Sequence, residues 1–147
     1  MSRRLVAVLA ALFLGAPAAR ADVVGQAAVG PGGSTVGYLT PVVVVQAGGS
    51  ITFTNLDIAS HSFVHDVASD GFGGPHDAPW CTPPSRGKKH TKRHKHGHKG
   101  PCPVFYSETI GFGQQTPVLG LENVEAGRTY SFFCTVHHNM KGKLIVR

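Results

Sequence analysis

Phe133-Cys134-Thr135-Val136-His137-His138-Asn139-Met140, close to the C-terminal end of the chain, decides how everything before it is read. A thiol, an imidazole and a thioether fall three residues apart, at Cys134, His137 and Met140. Joined by one more His from elsewhere, they make a trigonal His₂Cys set with a weak axial Met, the donor set of blue copper. A zinc site would recruit a fourth His, Cys or carboxylate rather than a thioether. Taken alone, a Cys at a strand end is equally a small buried hydrophobe and a Met a filler of core gaps. The reading therefore turns on an upstream His.

Thr52-Phe53-Thr54-Asn55-Leu56-Asp57-Ile58-Ala59-Ser60-His61-Ser62-Phe63 supplies it. Cys134-x₂-His137-x₂-Met140, followed by Lys141 to Val146, resembles the ligand loop and last strand of small blue copper proteins of the cupredoxin family. Amicyanin and pseudoazurin are nearest in loop length, whereas plastocyanin-type loops are longer between the His and the Met. The upstream run is similar to the family segment in which a strand ends in an Asn or Asp turn and the first His opens the next strand. The resemblance implies a Greek-key fold and one copper ion cycling between Cu(I) and Cu(II). It also implies His61, Cys134 and His137 as equatorial ligands, Met140 as the axial one, and the outer edge of His137 as the electron's exit route. His65 competes with His61, since residues four apart on a strand share a face. The Asn55-to-Asp57 turn and the small Ser62 match the family pattern and favour His61, leaving His65 as a surface residue or one that supports the ligands. His138 stands where the family commonly has Pro; it is a competing imidazole for the metal, and the reading preferred is that it faces solvent beside the site.

Strand signals run through the rest of the chain. Short apolar or alternating segments at 23–29, 38–45, 50–55, 61–67, 104–109, 118–124, 129–135 and 143–147 are separated by Gly, Pro, Asn or Asp. No stretch carries a helical period. Many short strands between turn signals predict an all-β sandwich or barrel, and the resemblance implies that it is a Greek-key, cupredoxin-like β-sandwich.

The first 21 residues read as a signal peptide: Arg3 and Arg4, a 12-residue apolar run from Leu5 to Ala16, and an Ala19-Arg20-Ala21 cleavage site. That run is shorter than the roughly 20 residues of a membrane span, and no other segment qualifies. A single exported domain over 22–147 is expected, in a periplasmic, cell-envelope or extracellular setting. An odd Cys in an exported protein needs an explanation. Cys81 and Cys102 bracket one loop and are expected to pair, leaving Cys134 as the free thiolate. Without Arg3, Arg4 and Arg20, the 14 basic residues fall to 11, against 8 acidic ones. Seven of the 11 (Arg86, Lys88, Lys89, Lys92, Arg93, Lys95 and Lys99) sit in an insertion at about 82–101, so the remaining body has 4 basic and 8 acidic residues. The insertion has nothing apolar to bury and is expected to be disordered. A Cys81–Cys102 bridge across its stems implies about 3 kcal/mol by the chain-entropy argument.

These features predict a soluble, monomeric one-electron carrier that meets redox proteins and, through its basic loop, an anionic surface. The alternative is a copper-handling protein, a chaperone or buffer, that adds His90, His94, His96 and His98 as a weak second metal site. Nucleic acid is a poor fit for an exported chain whose basic loop has no stacking aromatics. An enzyme is not expected either: there is no second domain with His-x-His pairs, no Ser-His-Asp set and no paired carboxylates.

Overall fold

Alternation fixes the inner strand. Ile51, Phe53 and Asn55 are buried while Thr52 and Thr54 between them are half-buried, the period-two signature of a strand with one face in a core. The computed structural model describes residues 25–81, 102–137 and 139–147. The expected leader, the insertion with His90, His94, His96 and His98, and His138 lie outside the described residues. Among those described, seven strands form: β1 (Gly25–Val29), β2 (Val42–Val45), β3 (Ile51–Asn55), β4 (Val64–His65), β5 (Gln115–Pro117), β6 (Thr129–Phe133) and β7 (Lys141–Val146). Two single-turn helices, α1 (Gly33–Val36) and α2 (Val67–Asp70), sit in the connections.

The strands make two sheets, β1-β3-β5 and β2-β7-β6-β4. β1 and β2 follow each other in the chain yet lie in different sheets, and each pairs in parallel with a later strand, β3 and β7. Such crossovers make this the all-β Greek-key sandwich expected. Its interior holds Phe53, Phe63, Phe105 and Phe132 from both sides. Tyr38 stands edge-on to Phe132 with ring centroids 4.9 Å apart, an arrangement worth about 0.5–1.5 kcal/mol beyond burial alone.

Four expected strands are altered. The one expected at 38–45 begins only at Val42, because the N–H groups of Leu39 and Thr40 both turn to the Ala28 carbonyl and the Thr40 hydroxyl accepts the Ala28 N–H. Segments 61–67 and 104–109 do run side by side: His61 and Ile110 exchange both backbone hydrogen bonds, and the His65 N–H donates to the Phe105 carbonyl. Between those points the Phe63 N–H donates to the Ser107 hydroxyl at 2.7 Å instead. A serine side chain thus takes one bond of that ladder, and only Val64 and His65, which pair with Phe133 and Phe132 of β6, form regular strand. Asp66 then ends the extended run by capping α2, its Oδ1 accepting the Ser69 N–H. Of the strand expected at 118–124 only Val118 and Leu119, just past β5, keep extended pairing, with Ile51 and Tyr106, before a 3₁₀ turn at 121–123. Gly120 lies between Leu119 and that turn at φ 86°, and a Cβ there would sit 2.3 Å from the Val104 carbonyl oxygen. Only glycine fits that corner.

Cys81 and Cys102 are joined, as expected, with Cα atoms 5.3 Å apart, inside the range that bridges occupy. Cys134 is free and buried. No helix among the described residues is long and apolar enough to cross a membrane.

Candidate metal centre

Two turns converge at one pole of the sandwich. The first is stapled by the buried amide of Asn55. Its Oδ1 accepts the Asp57 N–H at 2.8 Å, and its Nδ2 donates to the carbonyls of Ala59 and Ile110, the local pairing that suits Asn to turns. The staple turns Asp57 inward. There its carboxylate accepts N–H groups from Gly32, Ser34 and Ile58, and it meets His61 Nε2 at 2.9 Å. The bond from His61, opposed by burial and helped by the backbone donors, holds the Asp57 carboxyl down at about 2. An ionised carboxylate only accepts, so it places the ring proton on His61 Nε2 and leaves a lone pair on Nδ1. Gly33 closes over the pair: a Cβ on it would lie 2.1 Å from Val29 Cγ1 and 3.6 Å from His61 Nε2.

The second turn is the β6–β7 connection. β6 stops at Phe133, the Cys134 N–H donates to the Met140 carbonyl at 3.1 Å, and the Met140 N–H donates to the His137 carbonyl at 2.9 Å. Cys134 and Met140 are thereby brought into the same buried cluster. His137 stays half-buried at the rim.

Three donor atoms meet between the turns. Cys134 Sγ lies 3.8 Å from His61 Nδ1 and 3.8 Å from His137 Nδ1, and the two nitrogens are 3.2 Å apart. The point equidistant from the corners of a triangle with those sides is about 2.1 Å from each, the length of a metal–imidazole bond. Two ring nitrogens facing each other beside a thiol suit a shared cation. The sulfur's own surroundings are fixed as well. Ser62 Oγ stands 3.9 Å from Cys134 Sγ and accepts the Thr135 N–H at 2.9 Å, which ties the two ligand segments together. The Ser62 carbonyl accepts the Tyr38 hydroxyl. Burial, with a smaller push from Cys134, raises the Tyr38 phenol far above its ordinary range and keeps it a donor.

His61, Cys134 and His137 are thus brought together, and Met140 is returned beside Cys134 by the turn. His65 is not at the surface. It is 1% exposed, it packs on Phe72, Phe105 and Tyr130, and both ring nitrogens are engaged, by Asp70 and by the Val104 N–H. The surface reading failed because the rings that cover His65, those of Phe72, Phe105 and Tyr130, come from elsewhere in the chain. Two supporting residues were not recognised from sequence. Asp57 counted only as a turn residue, although the Asp-x₃-His spacing was visible, and Ser62 counted only as small.

Residues 26–147 match the family described as copper binding proteins, plastocyanin/azurin family. Among solved structures, a purple cupredoxin from Nitrosopumilus maritimus superposes with a TM-score of 0.51 at 16% identity, covering 83% of this chain and 98% of that one. Amicyanin from Paracoccus versutus gives 0.48 at 24% identity, covering 86% and 83%. No curated protein matches the chain at a significant level.

Proposed function

The chain belongs to the plastocyanin/azurin family of copper-binding proteins, and on that premise we propose that it is an exported one-electron carrier. His61, Cys134 and His137 would hold its single copper, with the Met140 thioether as a further, weaker donor. The observation that carries this reading is the triangle of one sulfur and two nitrogens, 3.8, 3.8 and 3.2 Å on its sides. Copper supplies one-electron exchange between Cu(I) and Cu(II). The protein supplies fixity. Asp57 orients His61, Ser62 ties the Cys134 segment to the His61 segment, and the strands on both sides resist movement of either turn. Donors that barely shift between oxidation states keep reorganisation small and exchange fast. No substrate bond is made or broken, so no catalytic residue is assigned and the proposal is of a carrier, not an enzyme.

Cys134→Ser should abolish the intense visible absorption of the oxidised copper protein, whereas Met140→Gln should keep the colour and lower the reduction potential. An unchanged spectrum in the Cys134→Ser protein would sink the assignment.

The Cys81–Cys102 bridge supports export, since such bridges persist in oxidising compartments. For partners, we propose redox proteins that meet the His137 pole, where Val136 is 48% exposed. The seven basic residues of the insertion, set against a body with 4 basic and 8 acidic residues, would steer the chain toward an acidic surface. The rate of electron exchange with an acidic partner should fall as salt rises past about 0.1 M, where the Debye length is about 10 Å. A rate indifferent to salt refutes the steering.

A further inference from the structure

A second group of metal-type donors, sharing no residue with the first, lies at the stem of the basic insertion. His76, Cys81 and Cys102 place their ligand atoms within 4.8 Å of one another, and His76 Nδ1 stands 3.5 Å from Cys102 Sγ. We infer that opening the Cys81–Cys102 bridge converts this stem into a second metal site, two thiolates and the His76 imidazole, that takes Cu(I).

The stem is held by contacts other than its sulfur–sulfur bond. Cys102 is almost fully buried and its carbonyl accepts the Gly74 N–H at 2.7 Å. On the other side, the Cys81 N–H donates to the Ala78 carbonyl at 2.8 Å, and the Trp80 indole N–H donates to the Pro103 carbonyl at 3.1 Å. None of these contacts passes through the sulfur–sulfur bond. They hold the two cysteines together once it is cut, so the thiols stay beside each other and beside an exposed imidazole that is open to an incoming ion. Two thiolates with one imidazole are a soft set, suited to Cu(I). Zinc would want a fourth ligand in a closed tetrahedron.

The chemistry balances with a dithiol as reductant. The dithiol passes two electrons and two protons to the bridge and becomes a disulfide itself, while Cys81 and Cys102 become thiols. Binding Cu(I) then replaces the two S–H protons, which leave to solvent. While the bridge is closed neither sulfur offers a thiolate, so the site exists only in the reduced chain. It is distinct from the Cys134 centre and would make the copper content of the protein depend on thiol redox state.

The test uses the full-length protein with its first copper already bound as Cu(I), under anaerobic conditions. One sample is kept with ascorbate, which leaves the bridge intact. The other is treated with a water-soluble phosphine that opens it. Both are titrated with Cu(I) against the colorimetric chelator bicinchoninate. The phosphine-treated protein should retain one additional Cu(I) per chain that the ascorbate sample does not hold against the chelator. His76→Ala should weaken that retention by about tenfold or more, the scale on which even outer partners of a metal are felt. Cys81→Ser/Cys102→Ser should abolish it. In every sample, the visible band recovered on reoxidising the Cys134 centre reports whether the fold survived, independently of the second ion. No extra ion in the phosphine-treated protein overturns the inference. So does extra uptake that persists in the double Ser variant, which would assign the ion to the insertion's histidines. Loss of the fold on opening the bridge overturns it too, because the stem would then not be held as argued.

Discussion

His61 and His65 lie four residues apart, are 0% and 1% exposed, and each meets a carboxylate through Nε2, Asp57 at 2.9 Å and Asp70 at 3.1 Å. Only the other ring nitrogen tells them apart. His65 Nδ1 accepts the Val104 N–H at 3.2 Å, so the ring is satisfied and belongs to the core. His61 Nδ1 looks instead at Cys134 Sγ and His137 Nδ1. A buried histidine becomes a metal ligand when the backbone leaves its second nitrogen unclaimed, and a carboxylate partner by itself does not distinguish the two cases.

The harshest way to break this comparison is to truncate each ring. His61→Ala should erase the visible copper band with the sandwich still folded. His65→Ala should keep the band and cost about 3–5 kcal/mol in urea unfolding, the range for a large buried ring with its hydrogen bonds orphaned. If the colour tracks His65 instead, the two roles have been exchanged. A gentler version removes only the charges behind the rings. Asp57→Asn makes His61 a less basic ligand, so the reduction potential should rise and copper affinity should fall about 10–100-fold. Asp70→Asn should leave the potential alone and destabilise by about 1–3 kcal/mol, because Asp70 also accepts the N–H and hydroxyl of Ser131, both at 2.6 Å. Equal potentials in the wild-type and Asp57→Asn proteins would remove Asp57 from the centre's control.

The smallest effect is in pH. Burial pushes His65 below its ordinary value of 6.5, against the pull of Asp70 and Asp66. The unfolded chain therefore protonates this residue more readily than the folded one. The resulting stability is full above about 6.5 and declines as pH falls below it. Asp66 and Asp70 are also held below their ordinary 3.8. For Asp66 the Ser69 hydroxyl leads. For Asp70 burial resists, but Ser131 and His65 outweigh it. Their contribution is present above 3.8 and is lost only as pH falls through the lower folded values. Between pH 7 and 5 the copper-loaded wild type should lose more stability than a His65→Gln variant. Parallel slopes would show that His65 does not titrate in this way.

The metal loop was readable because its donors are neighbours in sequence, and spacing from Cys134 to Met140 survives folding unchanged. The alternation at 51–55 was readable for the same reason. What sequence could not display is competition settled across the fold. Ser107 intercepts a strand bond from Phe63, 44 residues away, and Asp57 becomes a positioning residue only when Gly32 and Ser34, 25 and 23 residues earlier, arrive to hold it. His65 was misplaced because its burial depends on Phe72, Phe105 and Tyr130, none of them adjacent in the chain.

The two hydrogen bonds that close the Cys134-to-Met140 loop on itself run from main chain to main chain. Neither uses the side chains of Val136 or Asn139, both exposed. Substitutions at Val136 and Asn139 can therefore reshape the outward contour of this loop while the turn that gathers Cys134, His137 and Met140 is kept. Shape at this pole and geometry at its donors are thus set by different atoms, side chains for the one and main chain for the other.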